Sequence, residues 1–161
     1  MKTVQEYQKR LQRHLDELKW LYCELYPGRE DMFTQLCEQM EAWYQDRPES
    51  EKKLDREREQ EPAWYSRQDM LGMMLYIDAF AGNLKGVKKK LPYLEACNVN
   101  YLHLMPFLDT PKGKSDGGYA VADYRKVQPA LGTMEELASL CSARHEKKMS
   151  VCMDFVMNHT S

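Results

Sequence analysis

Acidic, amide and imidazole side chains come together near the end of the sequence, in the segment MSVCMDFVMNHTS. Asp154 is followed by Asn158 and His159, where an apolar run ends. A charged side chain within or at the end of a buried strand needs partners or a function, because an unpaired charge there is costly. His159 alone would be interpreted as a hydrogen-bonded packing residue. Its convergence with Asp154 and Asn158 at one strand end favours a functional site.

A second candidate site lies in the long connection from Phe107 to Gly132. Its sequence KSDGGY places Asp116 and Tyr119 on either side of two glycines. Carboxylates accept hydrogen bonds from hydroxyl groups, and an aromatic face can lie against the C–H face of a sugar ring. The pattern therefore suits sugar binding, although by itself it is more typical of an ordinary turn. The connection is far longer than the usual length of about two to six residues, which favours a functional loop.

Three short apolar runs must position these groups. The runs MLGMMLYIDAF, VNYLHLMP and MSVCMDFVMNHTS predict strands buried on both faces. We expect the first strand to end in Asp78-Ala79-Phe80 and the second in His103 to Pro106. Two helical segments, NLKGVKKKLPYLEACN and TMEELASLCSARHEKK, separate the strands, and the second opens with the capping box of Thr133 and Glu136.

The alternation of strand and helix predicts a parallel sheet, in either a barrel or a doubly wound fold. No glycine-rich G-x-G-x-x-G sequence follows a strand, so nothing favours a dinucleotide-binding fold. In α/β barrels the working residues lie beyond the carboxyl ends of the strands. That rule selects the strand ends and the long connection as candidate sites.

Residues 1–69 are predicted to form a separate helical domain, with the α/β part covering 70–161. Apolar residues recur at helical spacing from Tyr7 to Leu25 and again from Met32 to Tyr44, which predicts an antiparallel helix pair. Residues 49–61 are almost all charged and predict a solvated helix with i,i+4 ion pairs.

The composition argues against several classes of partner. The net charge of -2 over 161 residues offers no general attraction to nucleic acid or to an anionic membrane, so neither is predicted as a partner. The amino-terminal residues lack the apolar stretch of a signal peptide, and a cytoplasmic location is expected. Five cysteines without C-x-x-C spacing are expected to be reduced core thiols.

At DFVMNH (154–159) the sequence resembles the first signature block of the α-amylase family of glycoside hydrolases and transglycosylases. The stretches YLHLMPF and GKSDGGYAVADYRKVQPALGT are similar to the amylosucrases, a sucrose-using branch of that family. The resemblance implies the first three strands of an incomplete (β/α)8 barrel after the helical segment. It also implies a reaction in which sucrose is split, the glucosyl unit is passed to an α-1,4-glucan acceptor and fructose is released.

The resemblance implies a role for each candidate residue. Asp116 would close the floor of the glucose pocket, Tyr119 would lie under the sugar ring, and His159 would contact a hydroxyl. Asp154 and Asn158 would support the site. Because the expected contribution of Tyr119 is its aromatic face, Tyr119→Phe is expected to be mild. No metal is assigned, since amylosucrases are not known to need the metal that the matching asparagine binds in calcium-dependent amylases, and no cofactor is expected.

The chain ends after the third predicted strand, and the nucleophile and the general acid/base of the family belong to later strands. No catalytic residue is therefore assigned, and the 161-residue chain is predicted to be inactive by itself. The alternative is a non-catalytic helical interaction module with a residual α/β lobe. The sequence does not reveal whether an intact enzyme would polymerise, hydrolyse or isomerise.

Overall fold

The computed structural model describes the backbone of residues 2–115 and 117–161, with side chains from Val4 onward. The chain forms two compact units, Met1–Trp64 and Tyr65–Ser161. The division lies a few residues before the boundary at 69/70 that the sequence suggested. Within the part of the chain that the structure describes, none of the helices has the length and apolar character needed to cross a membrane.

The first unit consists of three helices, and a short 3-10 helix begins at its last residue. The helices are α1 (Lys2–Leu25), α2 (Glu30–Asp46) and α3 (Glu49–Gln60), and the 3-10 helix is Trp64–Ser66. The Tyr7 hydroxyl donates to the carbonyl oxygen of Cys37 at 2.9 Å, and the Tyr22 ring lies 5.5 Å from that of Phe33. The start of α1 therefore faces the end of α2, which confirms the predicted antiparallel pair.

Helix α3 is less solvated than its charged sequence predicts. Lys53 and Glu57 form an i,i+4 pair at 3.8 Å, as expected. Arg56, however, reaches Glu6 of α1 at 3.1 Å, and the side chain of Lys52 is buried. The Lys52 ammonium donates to the carbonyl oxygen of Gln45 at 3.1 Å, which satisfies one of its donors. One face of α3 therefore contributes to the packing of this unit.

The second unit is built around a three-stranded parallel sheet with the order β1-β2-β5. Its strands and helices follow in the order β1 (Gly72–Leu75), α4 (Ile77–Ala81), α5 (Leu84–Lys89), α6 (Leu91–Ala96), β2 (Tyr101–Leu104), β3 (Leu108–Asp109), β4 (Asp123–Val127), α7 (Met134–Glu146) and β5 (Ser150–Met153). The three strands expected from the sequence are present and parallel. This arrangement confirms an α/β fold with an incomplete barrel.

Strand β2 has one buried face and one face that is only partly covered. Leu102 and Leu104 are completely buried, whereas Tyr101 and His103 remain partly accessible. The apolar face packs into a core that includes Leu84, Val87, Leu91, Leu94 and Leu140 from the helices. The expectation that this strand is buried on both faces was wrong, and the difference leaves His103 free for polar contacts.

The first strand is shorter than predicted. It ends at Leu75, and Asp78, Ala79 and Phe80 belong to α4. The Phe80 amide donates to the carbonyl oxygen of Tyr76 at 3.0 Å, so the chain turns into a helix directly after the strand. The apolar residues at 77 and 80 bury one side of this helix, which is why the run looked continuous in the sequence.

The helical segment after β1 is divided into α5 and α6 at Lys90. Pro92 lies in the first turn of α6, where its missing N–H group is tolerated. The long connection after β2 also contains structure that the sequence did not reveal. Strands β3 and β4 pair antiparallel, with Leu108 opposite Val127. The loop that carries Tyr119 is therefore the tip of a hairpin.

Candidate functional site

Asp154 follows β5 directly and stays attached to the sheet. Its amide donates to the carbonyl oxygen of Leu104 at 3.2 Å, which continues the β2–β5 pairing by one step. In this register Cys152 pairs with His103. Alternate residues of a strand share a face, so Asp154 extends from the same face as Cys152 and His103. The fold thus brings the Asp154 carboxylate beside the imidazole of His103.

Both carboxylate oxygens of Asp154 have a partner. The His103 Nε2 atom lies 2.8 Å from Oδ1, and the Tyr119 hydroxyl donates to Oδ2 at 3.0 Å. An ionised carboxylate only accepts hydrogen bonds, so His103 must donate through an Nε2–H group, in either its neutral or its protonated form. These three residues, called here the His103–Asp154–Tyr119 chain, connect two strands of the sheet to the hairpin loop.

The contact with Asp154 changes the acidity of Tyr119. The hydrogen bond to the carboxylate raises the pKa of the Tyr119 phenol, and partial loss of solvent and the negative charge of Asp154 act in the same direction. An anionic tyrosine would lose its bond to Asp154 and face a like charge. The phenol therefore stays protonated, and stays a donor, beyond the ordinary range of tyrosine.

A cavity of about 440 Å³ opens in this unit near the carboxyl ends of the strands. It is lined by the hairpin loop and by residues that follow β1, β2 and β4, among them Tyr76, Asp78, Pro106, Gly117, Gly118 and Gln128. An added Cβ atom on Gly117 would lie 3.5 Å from the Tyr119 ring and 3.7 Å from the Tyr76 hydroxyl. Gly117, which lines the cavity, therefore lies close to both tyrosine side chains.

The loop before Tyr119 needs glycine at position 118. The backbone of Gly118 has a φ of 87°, and an added Cβ atom would lie 3.0 Å from both the Cβ and the carbonyl oxygen of Pro106. A side chain would be strained by the backbone conformation and crowded by the turn after β2. This close approach brings the hairpin loop against the end of the sheet and sets the position of Tyr119.

Asn158 and His159 lie on the exposed segment after β5. The His159 Nδ1 atom is 3.0 Å from the Asn158 side-chain oxygen. The Tyr124 hydroxyl of β4 donates to the carbonyl oxygen of Val156 at 2.6 Å. The carbonyl oxygen of His159 lies 3.2 Å from the same hydroxyl. The hairpin therefore holds this segment, but the hydrogen bonds of Asn158 and His159 are made away from Asp154.

The predicted site is thus assembled in part. The structure joins Tyr119 to Asp154, while the contact of His159 with a sugar remains a prediction. Asp116 lies outside the described residues, so its role in the pocket also remains a prediction. Among the residues that the structure describes, no group of three or more His, Cys, Asp or Glu side chains could hold a metal ion.

From the sequence, His103 lies at the end of the second strand, one of the candidate places, but has no assigned role, and Tyr76 is not identified at all. The alternation in YLHL was a usable signal, because Leu102 and Leu104 on one face leave His103 on the other. Tyr76 carries no comparable signal, because it lies inside the apolar run MLGMMLYIDAF. Its position at the cavity depends on the strand ending at Leu75.

The sequence of this chain matches a known protein family. Residues 31–161 match the family model "Alpha amylase, catalytic domain", which covers most of the chain. The chain is a member of the α-amylase family, which includes glycosidases and transglycosidases. This membership agrees with the parallel strands and with a site at their carboxyl ends.

The similar proteins include enzymes named for trehalose, trehalose 6-phosphate and isomaltulose. Over 80 residues the chain is 42% identical to trehalose-6-phosphate hydrolase from Bacillus subtilis and 42% identical to trehalose synthase from Pimelobacter sp., covering 50% of this chain and 14% of each relative. Among solved structures, isomaltulose synthase from Protaminobacter rubrum has a TM-score of 0.54 and 31% identity, covering 58% of this chain and 18% of that chain. The chain therefore spans a small part of the length of these relatives.

Proposed function

We propose that this chain forms the glucose-binding side of a sucrose-acting, retaining α-amylase family enzyme of the amylosucrase kind. In that reaction an α-1,4-glucan accepts the glucosyl unit and fructose is released. The observation that carries the proposal is the tethering of Tyr119 to Asp154 beside the cavity. A relative in the family, an isomaltulose synthase variant from Erwinia rhapontici NX5, has been solved with its natural substrate sucrose; it has 30% identity, a TM-score of 0.52, and covers 58% of this chain and 18% of that chain.

Tyr119 is the proposed platform for the sugar ring. Tyr119 is 38% exposed while its hydroxyl is held by Asp154, so one edge of the ring is fixed and the exposed surface is open to a ligand. Aromatic rings bind the apolar faces of sugars in this way, and a fixed ring loses less freedom on binding. Asp116 and His159 are proposed to contact sugar hydroxyls, with Asp154 and Asn158 as supporting residues.

The hydroxyl contact alters the expectation for Tyr119→Phe. From the sequence, this substitution should be mild because the aromatic face is retained. In the structure it also removes the donor to Asp154 Oδ2 and leaves the ring untethered. We therefore expect Tyr119→Phe to bind sugar more weakly than wild type but more tightly than Tyr119→Ala.

Asp154 does not suit the role of nucleophile or general acid in this chain. Its two oxygens are occupied by His103 and Tyr119. Retaining glycosidases also need two carboxyl groups about 5–5.5 Å apart on either side of the scissile bond. The proposed contribution of this chain is binding, and we expect purified 161-residue protein to release no fructose from sucrose above a denatured control.

The test of the proposal is binding of glucose and sucrose to the purified chain, measured by ligand-observed NMR. Saturable binding that is lost in Tyr119→Ala and retained in Tyr93→Ala would support it. Tyr93 is a suitable control because it is an exposed tyrosine on α6. If the folded wild-type chain bound neither sugar, or if both variants bound equally, the proposal would be wrong.

A non-catalytic interaction module remains the second candidate. The chain is also 38% identical over 80 residues to the amino acid transporter heavy chain of Rattus norvegicus, covering 50% of this chain and 11% of that protein. A relative with such a name indicates that sugar chemistry does not follow from family membership alone. Absence of sugar binding by the folded chain would favour this candidate.

A further inference from the structure

The His103–Asp154–Tyr119 chain links a rigid part of the unit to a loop. His103 lies within β2, between two completely buried leucines, and pairs in register with Cys152 of β5. Tyr119 lies on the hairpin loop and is partly exposed. Asp154 stands between them, with one oxygen on each neighbour. The position of the imidazole is thus set by the sheet, whereas that of the phenol depends on its contacts.

The carboxylate of Asp154 has a torsional freedom that its two donors remove. The backbone of Asp154 is fixed to Leu104, but the carboxylate can turn about its Cβ–Cγ bond, for which the preferred angles are broad. The contact at Oδ1 selects one orientation, and in that orientation Oδ2 meets the Tyr119 hydroxyl. Without the first donor, the only contact of this chain that still orients the carboxylate is the Tyr119 hydroxyl, which belongs to the loop and not to the sheet.

We propose that His103 is a positioning residue for the sugar platform: by binding Oδ1 of Asp154 it aims Oδ2 at Tyr119, and so orients a tyrosine that it does not touch. The consequence of this positioning for sugar binding rests on the proposed function. The positioning itself is a property of the free chain and can be tested without a ligand.

The ionisation of Tyr119 reports whether its bond to Asp154 is intact. That bond is the main reason why the pKa of Tyr119 is raised, with the charge of Asp154 and the neighbouring Tyr76 acting in the same direction. If removing His103 only took a donor away from Asp154, its oxygens would become stronger acceptors and the pKa of Tyr119 would rise further. Loss of orientation predicts the opposite change, a fall toward the ordinary value of tyrosine.

The experiment is an NMR titration of the full chain with tyrosine labelled at Cζ, the Tyr119 signal being identified with Tyr119→Phe. His103→Phe keeps a planar ring without a donor, and His103→Gln keeps an N–H donor at similar reach. We expect the pKa of Tyr119 to fall in His103→Phe and to stay near the wild-type value in His103→Gln. Far-UV circular dichroism over the same pH range verifies that the titrated protein is folded.

An unchanged or higher pKa of Tyr119 in folded His103→Phe would overturn the proposal. An equal fall in His103→Gln would also overturn it, because the effect would then come from packing of the imidazole. If His103→Phe does not fold, His103→Asn provides the same test, since its shorter amide cannot reach Oδ1 and a fall is again expected.

Binding at neutral pH separates this proposal from the proposed function. We expect glucose to bind about 5- to 10-fold more weakly to His103→Phe than to wild type, the loss that corresponds to one hydrogen bond of ordinary strength. His103→Gln should retain most of the affinity. If wild-type protein binds no glucose, the proposed function fails while the titration still decides whether His103 orients Tyr119.

Discussion

Gly118 lies so close to Pro106 that an added Cβ atom would be 3.0 Å from both its Cβ and its carbonyl oxygen. This contact joins the hairpin loop to the turn after β2 and holds Tyr119 at the carboxyl end of the sheet. Any side chain at position 118 must move one of the two segments. The contact therefore links the stability of the loop to the geometry of the proposed sugar site.

Gly118→Ala is expected to weaken glucose binding and to destabilise the second unit more than Gly113→Ala does. Gly113 has a similar φ of 71° but has no atom near its would-be Cβ, so both variants share the backbone strain of about 1–2 kcal/mol. Only Gly118→Ala adds crowding against Pro106. Urea unfolding and sugar binding of the two variants measure the difference, and equal effects would show that the contact with Pro106 is unimportant.

Gly86→Ala is expected to destabilise the second unit by about 1–3 kcal/mol or more. An added Cβ atom would lie 2.0 Å from the carbonyl oxygen of Ala81, which forces α4 and α5 apart. Gly72→Ala is the control, because its Cβ would meet its nearest neighbour, the Tyr101 carbonyl oxygen, at an ordinary 3.8 Å. Thermal unfolding of the two variants provides the comparison, and a Gly86→Ala protein as stable as Gly72→Ala would contradict the observed packing.

Asp154→Asn is expected to lower the pKa of Tyr119, because it removes the carboxylate that raises it. A tyrosine with a raised folded-state pKa stabilises the fold at pH values below its unfolded pKa, and this contribution is lost as the pH rises through the higher folded value. Wild type should therefore lose more stability than Asp154→Asn as the pH rises through this alkaline range. Tyrosine NMR measures the pKa of Tyr119, and unfolding at several pH values measures the stability of both proteins. If the stability of wild type and of Asp154→Asn changed equally with pH, the pKa of Tyr119 would not be coupled to folding.

Glu6→Gln is expected to reduce the stability of the first unit at neutral pH by about 0.5–1 kcal/mol. The hydrogen bond from Arg56 lowers the pKa of Glu6, despite a partial opposing effect of burial. A depressed folded-state pKa gives stability above the unfolded pKa that disappears as the pH falls through the lower folded value. The difference between variant and wild type should therefore vanish in acid.

The matched control for this prediction is Glu57→Gln, whose partner Lys53 is 3.8 Å away on the same exposed helix face. An exposed pair at that distance contributes little. Urea unfolding followed by circular dichroism at pH 7 and at pH 3 measures both variants. A Glu6→Gln effect that persisted unchanged at pH 3 would be inconsistent with its origin in the ionised carboxylate.

Local sequence patterns predicted the parts of the fold that depend on spacing along the chain. The helical periodicity predicted α1 and α2, and the cap at Thr133, which accepts from the Glu136 amide at 3.3 Å, marked the start of α7. The pairing of β3 with β4 was missed because β3 has only two residues and β4 has no regular alternation of buried residues. The three parallel strands were found because each is part of an apolar run between turn residues.

The candidate site was harder to predict because its contacts join distant parts of the chain. Tyr119 and Asp154 are 35 positions apart, and His103 and Asp154 are 51 apart. Spacing could identify each as a candidate, but the pairing depends on sheet register and on the hairpin. The family resemblance supplied a role for Tyr119, whereas its bond to Asp154 emerged only from the three-dimensional arrangement.

The hydrogen bond from Tyr124 to Val156 attaches the segment after β5 to the hairpin. The same small hairpin that carries Tyr119 at its tip also anchors the segment leading to His159, and the Ser161 amide adds a bond to the Val121 carbonyl oxygen at 3.1 Å. One hairpin therefore positions both Tyr119 and the segment that carries His159. A lengthened or shortened hairpin would move both residues, so the space for a substrate would change without any replacement of a sugar-contacting residue.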